Sequence, residues 1–193
     1  MAVIALLLGH PAPGGSFCQA LCKAYADGAR LAGHECTAIE IASLGGDPVL
    51  RDPRRYHAGH VPDPLRPAQQ ALGHADHLVL IYPLWLGGMP ALMKGFLEQI
   101  LTPGFAHRTD SRGKGRKGLK GKSARIIVTM GMPAFVFRWY FGAHSVKSLR
   151  RSVLGFCGVG PIRTTLLGGI ETVSDARRRR WLEQVRGYGR QAL

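Results

Sequence analysis

Residues 83–88 read Pro83-Leu84-Trp85-Leu86-Gly87-Gly88, placing three large apolar side chains in a segment that two glycines force to turn. An exposed ledge of proline, aromatic and aliphatic residues suits a flat, apolar ligand better than a sugar or a bare phosphate. A second stretch runs from Gly9-His10-Pro11 through Pro13-Gly14-Gly15 to Ser16. A Gly-rich loop ahead of an N-capping serine is a ready anion site, because the first N–H groups of a helix lack intrahelical partners and the helix dipole is positive there. A third stretch, Thr129-Met130-Gly131-Met132-Pro133, offers backbone donors and a hydroxyl.

These stretches matter only if the fold brings them together. Each follows a short apolar run: Ala2 to Leu8, Leu78 to Tyr82 and Ala124 to Met130. Such runs are the mark of parallel strands buried on both faces. Glu35 to Ile41 alternates as a further strand, with Thr37, Ile39 and Ile41 on one face, and Pro161 to Leu167 supplies a fifth. Helices are expected between them: from Ser16 to about Leu31, over Leu65–Ala75, over Ala91–Leu101, from a Ser145 cap to about Gly155, and from a Ser174 cap to near Gly187. Pro83 is expected to end its strand's ladder, having no N–H to donate. Five strands alternating with five helices predict one α/β domain over 1–193, a parallel sheet with right-handed crossovers. If the strand order is 2-1-3-4-5, strands one, three and four are contiguous and the three loops converge at their carboxyl ends, where such sheets bind ligands. An anion site, an apolar ledge and backbone donors together fit a flavin: phosphate on the first helix, isoalloxazine on the ledge, ring oxygens and nitrogens on backbone. The cofactor itself carries hydride chemistry, so few reactive side chains are required.

Other motifs are excluded. The first loop is not G-x-G-x-x-G, and no G-K-[ST] follows it. Gly121-Lys122-Ser123 imitates the end of a P-loop, but Arg116 stands where the first glycine belongs and the motif precedes a strand instead of following one. His57 and His60 have no third metal ligand at useful spacing, so no metal site is expected. The four cysteines show no zinc-like pairing and are expected as reduced thiols. The apolar start lacks a basic n-region and reads as the first strand of a cytoplasmic protein, and no run approaches a membrane span. With 26 Lys and Arg against 12 Asp and Glu, the net charge is +14. The basic residues gather at Arg112–Lys122 and Arg177–Arg180. No nucleic-acid motif accompanies them, so they are read as solvated surface, the first cluster on a flexible excursion running from Phe105 to Lys122.

The segment PLWLGGMPALMKGFLEQILTPGFA, the opening GHP…SF…AL, the TMGMP turn and DPVL in the long 43–64 loop resemble the flavodoxin-like NAD(P)H:quinone oxidoreductases across nearly the whole chain. The resemblance implies a three-layer flavodoxin-like sandwich that binds FMN, with FAD as the alternative. NAD(P)H would reduce the flavin and a quinone would then take two electrons. It also implies a homodimer, with the 43–64 loop and the 135–141 aromatics as candidate interface. An azo- or nitro-reductase of the same fold, or a flavin-binding ancillary subunit of a membrane transporter, stays open as an alternative. Position by position, His10, Ser16, Phe17 and Ala20 match phosphate-side residues. Pro83, Leu84, Trp85 and Leu86 match the isoalloxazine ledge, and Thr129, Met130 and Gly131 the donors at the flavin edge. His144 matches a histidine near nicotinamide and quinone. Phe137 takes the place of a proton-relay tyrosine, for which Tyr140 is the substitute. Cys18 stands where an asparagine is common.

Overall fold

The computed structural model describes residues 1–109 and 115–193. Apolar runs become central strands: β1 (Val3–Leu8), β3 (His77–Pro83) and β6 (Ser123–Met130) are buried almost throughout, while β2 (Glu35–Glu40) and β7 (Ile162–Gly168) carry polar residues. Among the described residues the sheet is five-stranded and parallel, in the order β2-β1-β3-β6-β7, which is 2-1-3-4-5 for its strands in sequence order. The polar strands are thus the two edges.

Side chains alternate across the sheet, which divides the core into two layers. Ile4, Leu6, Val79, Ile81 and Ile127 pack under α1 (Phe17–Leu31) and α8 (Asp175–Gln191). Leu7, Leu80, Tyr82, Ile126 and Val128 pack on the other face, against α3 (Arg66–His74), α4 (Ala91–Ile100) and the helical segments after β6. Those segments are α5 (Ala134–Trp139), α6 (His144–Ser148), a π-helical stretch (Leu149–Leu154) and α7 (Gly155–Cys157). A short α2 (Pro53–His57), capped by Asp52, lies in the long loop after β2.

Four expectations need correction. Pro83 is the last residue of β3, but the ladder runs one bond further, because the Leu84 N–H donates to the Thr129 carbonyl at 2.7 Å. Ser145 does not cap a helix: α6 starts at His144 after Ala143, whose φ is 48°, and the Ser145 hydroxyl is buried without a partner among the described residues. The last helix continues past Gly187 to Gln191, since Gly189 is needed for close packing against α1. The basic excursion contains an antiparallel hairpin, β4 (His107–Thr109) with β5 (Gly115–Lys117), anchored where the Gly118 N–H donates to Ala106; Arg112 and Lys114 lie outside the described residues. Among the described residues, no helix is long and apolar enough to cross a membrane.

Candidate active site at the carboxyl ends of β1, β3 and β6

The first loop leaves β1 and enters α1 through a capping box. Ser16 accepts from the Gln19 N–H while the Gln19 side-chain oxygen accepts from the Ser16 N–H at 2.8 Å. Ser-x-x-Gln is the spacing such a box requires, and Gln19 adds to the expected cap at Ser16. The Gln19 amide also donates to Glu40 at the end of β2, tying the helix start to the neighbouring strand. No acidic residue sits in the first turn of α1, and Cβ atoms at Gly14 or Gly15 would meet nothing within 4 Å. The N-terminus of α1 is therefore an open, electropositive cradle. Phe17 lies over Trp181 of α8, with ring centroids 6.1 Å apart, and Ala20 is half-buried one turn further on.

The second loop is a tight turn. Trp85 and Gly88 exchange both backbone hydrogen bonds at 2.9 Å, with Leu86 at φ 44° and Gly87 at φ 77° between them. Positive φ at both central positions matches a type I′ turn, a conformation that costs a leucine energy. The turn leaves Leu86 fully exposed and Trp85 half-exposed at 50%. Pro83 is buried beneath them and Leu84 half-buried. His10 of the first loop meets Trp85 edge to face, with centroids 6.0 Å apart, and its Nδ1 lies 3.2 Å from both backbone polar atoms of Ala12.

The third loop is stitched to both others. The Leu84–Thr129 backbone bond joins it to the ledge, and Cys18 Sγ lies 3.2 Å from the Thr129 hydroxyl. Burial pushes the Cys18 thiol up to about 11, so it stays protonated and neutral. Thr129 and Met130 are buried, with their carbonyls already accepting from Leu84 and Ile170, whereas Gly131 is exposed and presents its backbone at the end of the strand.

The structure thus joins the first, second and third loops through named contacts. Among the described residues, no hydrogen bond or ring contact links Tyr140 or His144 to His10, Trp85 or Thr129. Tyr140 is 82% exposed and packs edge to face on Phe141, while His144 folds over Gly142, where a Cβ would lie 2.6 Å from its Nε2. Phe137 belongs to the core, so a tyrosine there would bury its hydroxyl.

Two features escaped the sequence reading. Glu171, in the loop after β7, approaches the third loop: a Cβ at Gly131 would sit 3.3 Å from Glu171 Oε1. This fourth carboxyl-end loop is held by backbone bonds from Gly169 to Met132 and from Ile170 to Met130. Arg178, in the basic run at the start of α8, is not a free surface cation, since it donates to the Ile170 carbonyl at 2.7 Å.

The family model for the flavodoxin-like fold matches residues 3–189. The chain belongs to this flavodoxin-like family. An NAD(P)H oxidoreductase of Haemophilus influenzae is 25% identical over 181 residues, covering 92% of this chain and 89% of that protein. An FMN-dependent NADH:quinone oxidoreductase of Nitratidesulfovibrio vulgaris is 30% identical over 168 residues, covering 76% of this chain and 75% of its own. The crystal structure of Smu.1420 from Streptococcus mutans UA159 is 28% identical with a TM-score of 0.81, covering 97% of this chain and 98% of that one.

Proposed function

We propose that this chain is a flavin-dependent NAD(P)H:quinone oxidoreductase that uses FMN. The observation that carries the reading is the meeting of an anion cradle, an apolar ledge and a backbone-donor loop at one end of the sheet, joined through His10–Trp85 and Leu84–Thr129. The strain at Leu86 belongs to the same site, where non-glycine residues in left-handed conformations tend to occur.

The residues present fit FMN. The open cradle at Gly14, Gly15 and Ser16, free of acidic residues in the first helical turn, suits a phosphate. Trp85 and Leu86 offer the apolar face that an isoalloxazine needs, and the exposed backbone of Gly131, positioned by the buried Thr129 and Met130, offers polar groups for its edge. When bound, the flavin supplies two-electron transfer from NAD(P)H to an acceptor. The protein's own part is to hold the phosphate, fix the ring plane and keep water from one face. Tyr140 and His144 are proposed to move or hold a proton at the acceptor, a role their exposed position leaves them free to take on. The relatives named for NAD(P)H and FMN-dependent quinone reduction support the cofactor and substrate class.

A homodimer is proposed as well. The 43–64 loop and the aromatic segment border different grooves. A groove of about 400 Å³ beside the long loop is lined by Leu50, Tyr56, Leu97, Leu101, Val153 and Phe156. Phe156 is more than half exposed there, and a second copy is the proposed cover.

The test is direct. The purified protein is expected to be yellow or to take up FMN. NADH or NADPH should bleach it anaerobically, and menadione should restore the colour. A protein that takes up neither FMN nor FAD would overturn the reading. Sedimentation velocity reads the dimer separately.

A further inference from the structure

A second groove, of about 820 Å³, lies beside edge strand β7 and shares no lining residue with the groove beside the long loop. Its floor is aliphatic, from Ala143, Val146 and Leu166. Phe135 and Trp139 rise at its side, 66% and 79% exposed, followed by Tyr140 and Phe141. Arg138, Lys147 and Arg150 line it as well, and none of the three has an ion pair among the described residues. Arg138 instead lies 5.7 Å from the Trp139 ring. No Asp or Glu occurs between residues 115 and 170, so the cations here are not offset by acids on their own elements.

An apolar floor, protruding rings and unpaired cations need a partner that is both apolar and anionic. A second copy is a poor match, because a two-fold contact sets each patch against itself and would bring Arg138, Lys147 and Arg150 near their own copies. Nucleic acid would meet the cations but offers phosphate, not hydrocarbon, to the aliphatic floor. An anionic bilayer supplies both: Trp and Tyr settle at headgroup level, and Lys and Arg face anionic lipid. We propose that this face is a peripheral docking surface for an anionic phospholipid membrane. It holds the protein on the bilayer without a membrane span and goes beyond the oxidoreductase reading, on which it does not depend.

The experiment is co-sedimentation of the purified full chain with vesicles, scored without NAD(P)H or acceptor, so that failure of the enzyme reading and failure of this one are distinguishable. Binding is expected to vesicles of one part phosphatidylglycerol to two parts phosphatidylcholine, and not to phosphatidylcholine alone. The combined variant Arg138→Glu, Lys147→Glu, Arg150→Glu should lower affinity at least ~100-fold, given about fivefold per cation. The charge-matched control Arg179→Glu, Arg180→Glu, Arg190→Glu, on exposed α8 positions, should lower it far less. Arg138→Lys with Arg150→Lys should bind as the parent does, which guards against misfolding as the cause of loss. Equal loss in the two triple variants would reduce the effect to net charge and overturn the assignment. So would absence of vesicle binding, tighter binding to an oligonucleotide than to vesicles, or a lipid-free dimer that shields Trp139 from acrylamide.

Discussion

Leu86 combines two local costs, a φ of 44° and a fully exposed aliphatic side chain. A left-handed leucine costs roughly 1–2 kcal/mol, set here against the two Trp85–Gly88 backbone bonds that close the turn. A ligand lying on the ledge would offset the exposure. Leu86→Asn, which tolerates this backbone, is therefore expected to raise the unfolding free energy of the apoprotein by about 1 kcal/mol while weakening FMN binding. Urea titration reads the first effect and flavin fluorescence the second; an apoprotein no more stable than the parent removes strain from the argument. Trp85→Ala is expected to weaken FMN binding roughly 5- to 150-fold, the value of about 1–3 kcal/mol for one aromatic stack. Arg179→Ala, at an exposed position of α8, is the comparison. Equal retention in the two variants would take the ledge out of the site. At this scale the sequence was informative where a residue type dictates backbone, as at Ser16 and Gly87. It was silent where contact depends on tertiary neighbours, as for Glu171 beside Gly131.

The elements were legible in proportion to how far burial dictates their composition. β1, β3 and β6 read as continuous apolar runs because both of their faces are covered, and α1 announced itself by a capping serine. The π-helical stretch and the hairpin were not legible. Nothing in Leu149–Leu154 marks a wider turn, and β4 and β5 are three-residue strands in a basic segment. The end of α8 was misplaced because two glycines, Gly187 and Gly189, look alike in sequence and do different things in space. A Cβ at Gly189 would lie 2.1 Å from the Tyr25 carbonyl oxygen, whereas one at Gly187 would meet nothing within 4 Å. Gly189→Ala must push α8 off α1 and is expected to destabilise by about 2 kcal/mol or more. Gly187→Ala only restricts the unfolded chain and fills a helix position, and is expected to stabilise by roughly 0.5–1 kcal/mol. Thermal midpoints of the two variants check the pair, and midpoints moving the same way would show that the α1–α8 contact is not as close as described.

At the scale of the molecule, the sheet separates chemistry from stability. The three loops of the proposed flavin site occupy the carboxyl ends of the strands, while a buried polar cluster occupies the other end. There His77 is 2% exposed, its Nδ1 is 2.7 Å from the Ser123 hydroxyl, its ring stacks on Tyr25, and its Nε2 has no partner among the described residues. Arg125, also buried, donates to Leu193 and Thr165 and lies 3.6 Å from the Tyr188 ring centroid. Burial first, then the Arg125 and Arg163 charges, lower the His77 pKa from 6.5 to about 4. Because the folded value lies below the unfolded one, the unfolded chain binds the extra proton between pH 6.5 and about 4. Stability from this group is complete above pH 6.5 and is lost as pH falls through that window, by up to about 3 kcal/mol at about 1.4 kcal/mol per pH unit. His77→Gln, neutral throughout, is expected to be less stable than the parent at neutral pH, having a poorer fit. Its urea midpoint should also change less between the two ends of the window, and its FMN affinity should match the parent's because the cluster lies at the far end of the sheet. A midpoint that falls as steeply with acid in His77→Gln as in the parent would assign the acid sensitivity to other groups.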